Sequence, residues 1–164
     1  MTLKSTIFIK NFKMHQTFSI TKTSRKVLSH FLDTIPIEKL NKIPEGFNNN
    51  IIWNIAHIVV VQQMLTYKLS GLPMLVSDEM VAKYMRGTKP SQDVSQSEID
   101  EIKFLLFETI NKTEVDFNAG IFQNFQEFTS LSGFTMRNID DALCFNYYHE
   151  AVHTGMIMSL KKFV

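Results

Sequence analysis

Apolar side chains recur at helical spacing along four stretches of this chain, and residues that start or stop helices bracket each stretch. The first runs from about Met14 to Thr34, with Ile20, Val27, Leu28, Phe31 and Ile35 marking its apolar face; Pro36 and the run Pro44-Glu45-Gly46 break the chain behind it. Asn48, Asn49 and Asn50 offer N-caps for a second helix over 50–70, which stops at Gly71 with Pro73 two residues on. A long connection from Leu72 to Asp93 then holds one short helix around Asp78 to Met85, delimited by Gly87 and Pro90. Ser95 and Glu98 fit a capping box at the head of a third helix over 95–119. Its face of Ile99, Ile102, Leu106, Ile110, Thr113 and Phe117 ends at Gly120. Residues 121–137, rich in Phe and Gln, form a second loop, and Asn138 caps the last helix, over 138–162. No convincing strand alternation is present. The expected fold class is therefore all-α, a four-helix bundle with a long crossover between its second and third helices.

The apolar pattern is interrupted where it matters for chemistry. His149 and His153 are four apart, so a helix projects them from one face with Cβ atoms roughly 5–6 Å apart. With Glu150 they also spell H-E-x-x-H, the zincin signature of two zinc-binding His and a Glu base. The third ligand of such a site lies further down the chain, yet Thr154 to Val164 contains no His, Asp, Glu or Cys. The third ligand must then come from upstream, and His57 is the best candidate. At about 100° per residue Trp53, His57, Val60, Val61 and Met64 share one stripe, and Ala142, Phe145, His149, Val152, His153, Met156 and Leu160 share another. Both stripes are apolar apart from the histidines. Apolar stripes face a core, so the three imidazoles point inward toward a common space, where a shared metal would satisfy groups that are costly to bury alone.

The segments Asn48–Ile58 (NNNIIWNIAHI) and Tyr147–Ile157 (YYHEAVHTGMI) resemble the DinB / YfiT-like superfamily of metal-binding helical bundles. Its members carry one His on the second helix and a pair, followed by a Gly and an Ile, on the last. The resemblance places these on His57, His149 and His153, with Gly155 and Ile157 also matched. It departs at Met156, where the pattern often has Gln, and at Ala151, where it often has Gly. It begins near Met14, so residues 1–13 are read as an N-terminal arm and 14–164 as the bundle domain. Relatives include thiol-dependent transferases and isomerases; the resemblance therefore implies a small thiol as co-substrate.

Composition narrows the classes that remain. At 164 residues the chain makes one domain with a real core. A net charge of +1 with scattered Lys and Arg gives no reason to expect nucleic acid. Residues 1–32 carry six Lys or Arg and no acid, superficially like a transit peptide, but Arg is scarce and no apolar run of signal length occurs. Without a run of about 18 apolar residues nothing is expected to span a membrane, and the single Cys144 suits a reducing compartment, so the expected location is cytoplasmic. Cys144 itself is read as a small buried hydrophobe. The surplus of aromatics and the N-terminal arm suggest a homodimer.

Three neutral imidazoles leave coordination positions open to water or a small-molecule substrate, as in catalytic zinc sites. Zn²⁺ and Ni²⁺ suit such donors best. The expected activity is a metal-dependent enzyme, a thiol transferase or isomerase. A metalloprotease is not expected, because Glu150 lies at the edge of the stripe as a surface carboxylate or one bonded behind a ligand. Trp53 walls the site and Tyr148, Tyr147 and Glu150 are pocket candidates, while His15 and His30 on the first helix read as structural or solvated. The competing class is a non-catalytic, stress-associated or interaction bundle whose metal only pins helices together.

Overall fold

A computed structural model describes the side chains of residues 14–164 and assigns helix from Leu3 on, so the side chains of the expected arm over residues 1–13 lie outside the described residues. The fold is all-α apart from one tiny hairpin. Its elements in order are α1 (Leu3–Thr34), α2 (Ile37–Asn41), α3 (Ile51–Thr66), a 3-10 turn (Lys68–Ser70), α4 (Asp78–Tyr84), α5 (Gln96–Asn118), β1 (Phe128–Thr129), β2 (Thr135–Met136) and α6 (Ile139–Leu160). The start signals read from the sequence are in place. Asn50 accepts from the backbone N–H of Trp53, Ser95 from that of Glu98 and Asn138 from that of Asp141. Only half of the capping box at Ser95 is made, because the Glu98 carboxylate is taken by Lys83 and Tyr84. Gly71 takes φ +70°, the left-handed conformation that ends the second long helical segment without strain.

The strands are two residues each, paired antiparallel with Phe128 opposite Met136 and Thr129 opposite Thr135, within the loop expected to be irregular. Four residues are too few for alternation to show in sequence.

α3 is the centre of the molecule. Fourteen of its sixteen residues are buried, so it has no solvent face and the stripe read along Trp53, His57, Val60, Val61 and Met64 is only one side of a fully enclosed helix. It packs on α2, α4, α5 and α6, while α1 packs on α5 and α6. The main core joins Leu28 and Phe31 of α1 to Ile52, Ile55 and Val59 of α3, Ile102 and Leu106 of α5, and Ile157 and Leu160 of α6.

Two apolar faces differ from expectation. On α1, Ile20 and Val27 are exposed, and the buried face instead runs through Met14, Phe18, Thr21, Arg25, Leu28 and Leu32. On α6, Val152 and Met156 are exposed, and the buried line passes through Leu143, Asn146, Glu150 and Ile157. One interaction explains both. Arg25 and Glu150, each about 1% exposed or less, meet in the interior as a two-pronged ion pair, Nη2 to Oε1 at 2.7 Å and Nε to Oε2 at 3.1 Å. The remaining guanidinium nitrogen donates to Leu106 O and Thr109 Oγ1, both at 2.8 Å, and Asn146 Nδ2 donates to Glu150 Oε1 at 2.7 Å. A charged pair so fully bonded can sit where apolar residues were expected, and it rotates both helices toward itself. The same rotation turns Cys144, expected to be buried, to the exposed side of α6.

No helix among the described residues is long and apolar enough to cross a membrane.

Candidate metal centre

With Glu150 held by Arg25, His149 and His153 lie about 100° and about 60° to one side of the buried line of α6, on the flank that meets α3. There they face His57. One ring nitrogen from each of the three lies within 4.8 Å of the other two. The ring centroids are 5.2 Å apart for His57 and His149, 4.7 Å for His57 and His153, and 4.5 Å for His149 and His153.

Hydrogen bonds behind the rings decide how two of them present themselves. His57 Nδ1 lies 2.6 Å from the carbonyl oxygen of Tyr84. A carbonyl only accepts, so Nδ1 carries the proton and Nε2 keeps its lone pair. His153 Nδ1 lies 2.8 Å from Asn54 Oδ1. The Asn54 amide cannot be turned round without loss, because its Nδ2 donates to Asn50 O at 2.7 Å. His153 is therefore also an Nδ1–H tautomer with a free Nε2 lone pair. His149 differs, since its Nδ1 is buried and has no hydrogen-bond partner among the described residues. An orphaned imidazole nitrogen beside two lone pairs is the mark of a missing electrophilic partner, and the donor set fits a divalent cation.

Electrostatics agree with neutral rings. Burial, followed by the proximity of His153 and His57, holds His149 down to about 3, and burial with His57 nearby holds His153 down to about 4. Burial also lowers His57, opposed by its bond to Tyr84 O. Protons are thus excluded from the three donors over the neutral range, which is the protonation state a metal requires.

Trp53 stacks on the His57 ring at 4.6 Å with planes 13° apart, its Nε1 donates to Thr88 Oγ1 at 3.2 Å, and it lines the cavity that reaches all three histidines. Tyr148 does not. It is half exposed, its ring 6.0 Å from that of Phe145, and it lines neither cavity beside the cluster; Tyr147 is likewise exposed. Glu150, read as a surface or edge carboxylate and pocket candidate, is buried with its oxygens committed to Arg25 and Asn146, because its side of α6 faces α1. It cannot act as the base of a zincin. His15 and His30 are exposed and stand apart from the cluster.

Two cavities meet at the imidazoles. One, of about 260 Å³, is apolar, lined by Val61, Met64, Leu65, Phe128, Leu131 and Phe145 beside His57 and His149. The other, of about 520 Å³, touches all three histidines together with Asn48, Asn49, Trp53 and residues 86–89. Arg86 lines both.

The residues that sequence reasoning missed are Arg25, Asn54, the Tyr84 carbonyl and Arg86. Arg25 had a legible signal, since it falls in step with Phe18, Thr21, Leu28 and Leu32. Asn54 had a weaker one, a single amide inside an Ile, Val and Ala run, three residues before His57. The other two, at the C-terminal end of α4 and in the loop that follows it, had none.

The family model described as the DinB superfamily matches residues 20–157, which take in both histidine-bearing segments. No curated protein matches the chain.

Proposed function

The chain belongs to the DinB superfamily, and from that premise we propose that it is a metal-dependent enzyme of the cytoplasm in which His57, His149 and His153 hold one divalent cation, Zn²⁺ or Ni²⁺. On this reading the four long helices form a four-helix bundle whose interior carries the site, with α3 and α6 supplying the ligands. The observation that carries the proposal is the convergence of three neutral imidazoles, two of them with Nδ1–H donated to Tyr84 O and Asn54 Oδ1 and the third with an orphaned buried nitrogen.

When bound, such a cation supplies a Lewis-acid position at which a small thiol, of pKa near 8.5 when free, would be held as its thiolate. The protein's own residues do the rest. Tyr84 O and Asn54 fix the tautomers and ring orientations, so no proton must leave the donors at neutral pH. Trp53 packs flat on His57 and limits its rotation. Phe145, Phe128 and Leu131 line the cavity beside the cluster and give the place where a substrate would sit an apolar wall.

The reading is favoured over a metal that merely pins helices. Among the described residues the group of potential ligands within reach of one point consists of the three histidines, and the nearest acid in sequence, Glu150, is bound to Arg25 instead. Three protein ligands with cavities on two sides is the open arrangement of a catalytic site.

The test is to load metal-free protein with Zn²⁺ or Ni²⁺, add a panel of small thiols, and follow metal-centred spectra and transfer of the thiol to electrophiles. One equivalent of metal, lost in His57→Ala, His149→Ala and His153→Ala, with thiol-dependent spectral change is the expected result. A bound metal that no thiol perturbs would leave the pinning role.

A further inference from the structure

The cavities beside the histidines carry charge of one sign only. Among the described residues Arg86 is the one charged residue lining the apolar cavity, Arg86 and Lys89 are the two lining the wider groove, and neither cavity has an Asp or Glu. Neither cation forms an ion pair with a described residue, although Lys83, three residues before Arg86, is held by Glu98 at 2.6 Å. The loop that presents them is fastened in place. Trp53 Nε1 donates to Thr88 Oγ1, and Thr88 donates to the carbonyl of Lys83 or Met85, both at 2.8 Å. Gly87, at φ +91°, lets the chain turn between the two basic residues. The same groove holds a buried Asn49 Oδ1 with no hydrogen-bond partner among the described residues, an acceptor that suits a hydroxyl or amide donor on an occupant and not its carboxylate.

We propose that the substrate of this site is a small organic acid, its carboxylate held by Arg86 and Lys89 in the groove and its apolar body in the cavity lined by Val61, Met64, Phe128, Leu131 and Phe145. The proposal rests on the reading of the histidine cluster as an open metal site, since it places the substrate against that cluster. The guanidinium offers a planar pair of donors matched to a carboxylate, and the apolar wall beside it takes the hydrocarbon part of the same molecule. A cationic ligand would meet two like charges, and a neutral one would gain no attraction from them.

The test measures binding of hexanoate, hexanol, hexylamine and hexyl phosphate by calorimetry to the whole protein, both metal-free and zinc-loaded, and to the Arg86→Met, Arg86→Lys and Lys89→Met variants. Circular dichroism checks that each variant keeps its helix content; both positions are exposed, so folding should not be affected. Hexanoate should bind metal-free and zinc-loaded protein, with about tenfold weaker binding in Arg86→Met, partial recovery in Arg86→Lys and no detectable binding of hexylamine. Equal binding of hexanoate and hexanol would overturn the proposal, as would binding of hexyl phosphate alone or of no ligand. Hexanoate binding that needs zinc and ignores Arg86→Met would also overturn it while leaving the metal reading intact. Failure of zinc to bind, with hexanoate still sensitive to Arg86, would sink the metal reading and spare the anion subsite.

Discussion

Asn54 on α3 and His153 on α6 are joined by a single hydrogen bond of 2.8 Å between Oδ1 and Nδ1, and that bond chooses which nitrogen of His153 faces the other two imidazoles. The chain from Asn50 O through the Asn54 amide to the ring sets the tautomer without any charged group.

Removing that acceptor should therefore weaken metal binding before it alters the fold. Asn54→Leu is expected to lower metal affinity by about 10- to 100-fold, the usual cost of losing an outer hydrogen bond to a ligating histidine. Asn54→Asp keeps an acceptor for His153 and should lose less. Competition with a metal-binding dye measures both, and equal affinity of wild type and Asn54→Leu would show that the bond does not govern the ligand.

Arg25 and Glu150 are the second predicted lever, this time on stability. Arg25→Met or Glu150→Gln strands the surviving group in the interior, and each should cost about 3–5 kcal/mol in denaturant unfolding. The double variant Arg25→Met with Glu150→Leu removes both charges together and should recover most of that loss. A double variant as unstable as the worse single one would mean that the pair's attraction, and not an unpaired partner, carries the cost.

Stability of the metal-free protein should depend on pH through the histidines. Their folded values are depressed, to about 3 for His149 and about 4 for His153, against an ordinary value of 6.5. Between these limits the unfolded chain binds more protons than the folded one, so stability rises with pH. The contribution is complete above pH 6.5 and is lost as pH falls toward 4. Urea midpoints should drop between pH 7.5 and pH 5, and the drop should shrink in His149→Gln.

Gly155 lies within α6, and a Cβ added there would meet no atom within 4 Å. Gly155→Ala should stabilise the protein by roughly 0.5–1 kcal/mol, since alanine restricts the unfolded chain and is the better helix former. A destabilised variant would indicate that a partner or ligand comes close to this face of α6.

The sequence by itself determined the four long helices, the short one at Asp78, their caps and the histidine spacing, though not the short α2, because the former depend on local periodicity and on side chains reaching backbone a turn away. Asn50, Ser95, Asn138 and Gly71 act within their own neighbourhoods, and the His149 and His153 spacing holds on any helix. Only the tertiary structure decided which way those helices face. The apolar count alone favours a face of α1 through Ile20 and Val27, but the Arg25 and Glu150 pair, 125 positions apart, outweighs it once both ends are desolvated and fully bonded. The same long-range contact buries Glu150, exposes Cys144 and aims the histidines at His57. Tyr84 O and Arg86 reach the site because α4 packs on α3, and no local pattern in the sequence records where a helix-end carbonyl or a lone arginine will end up.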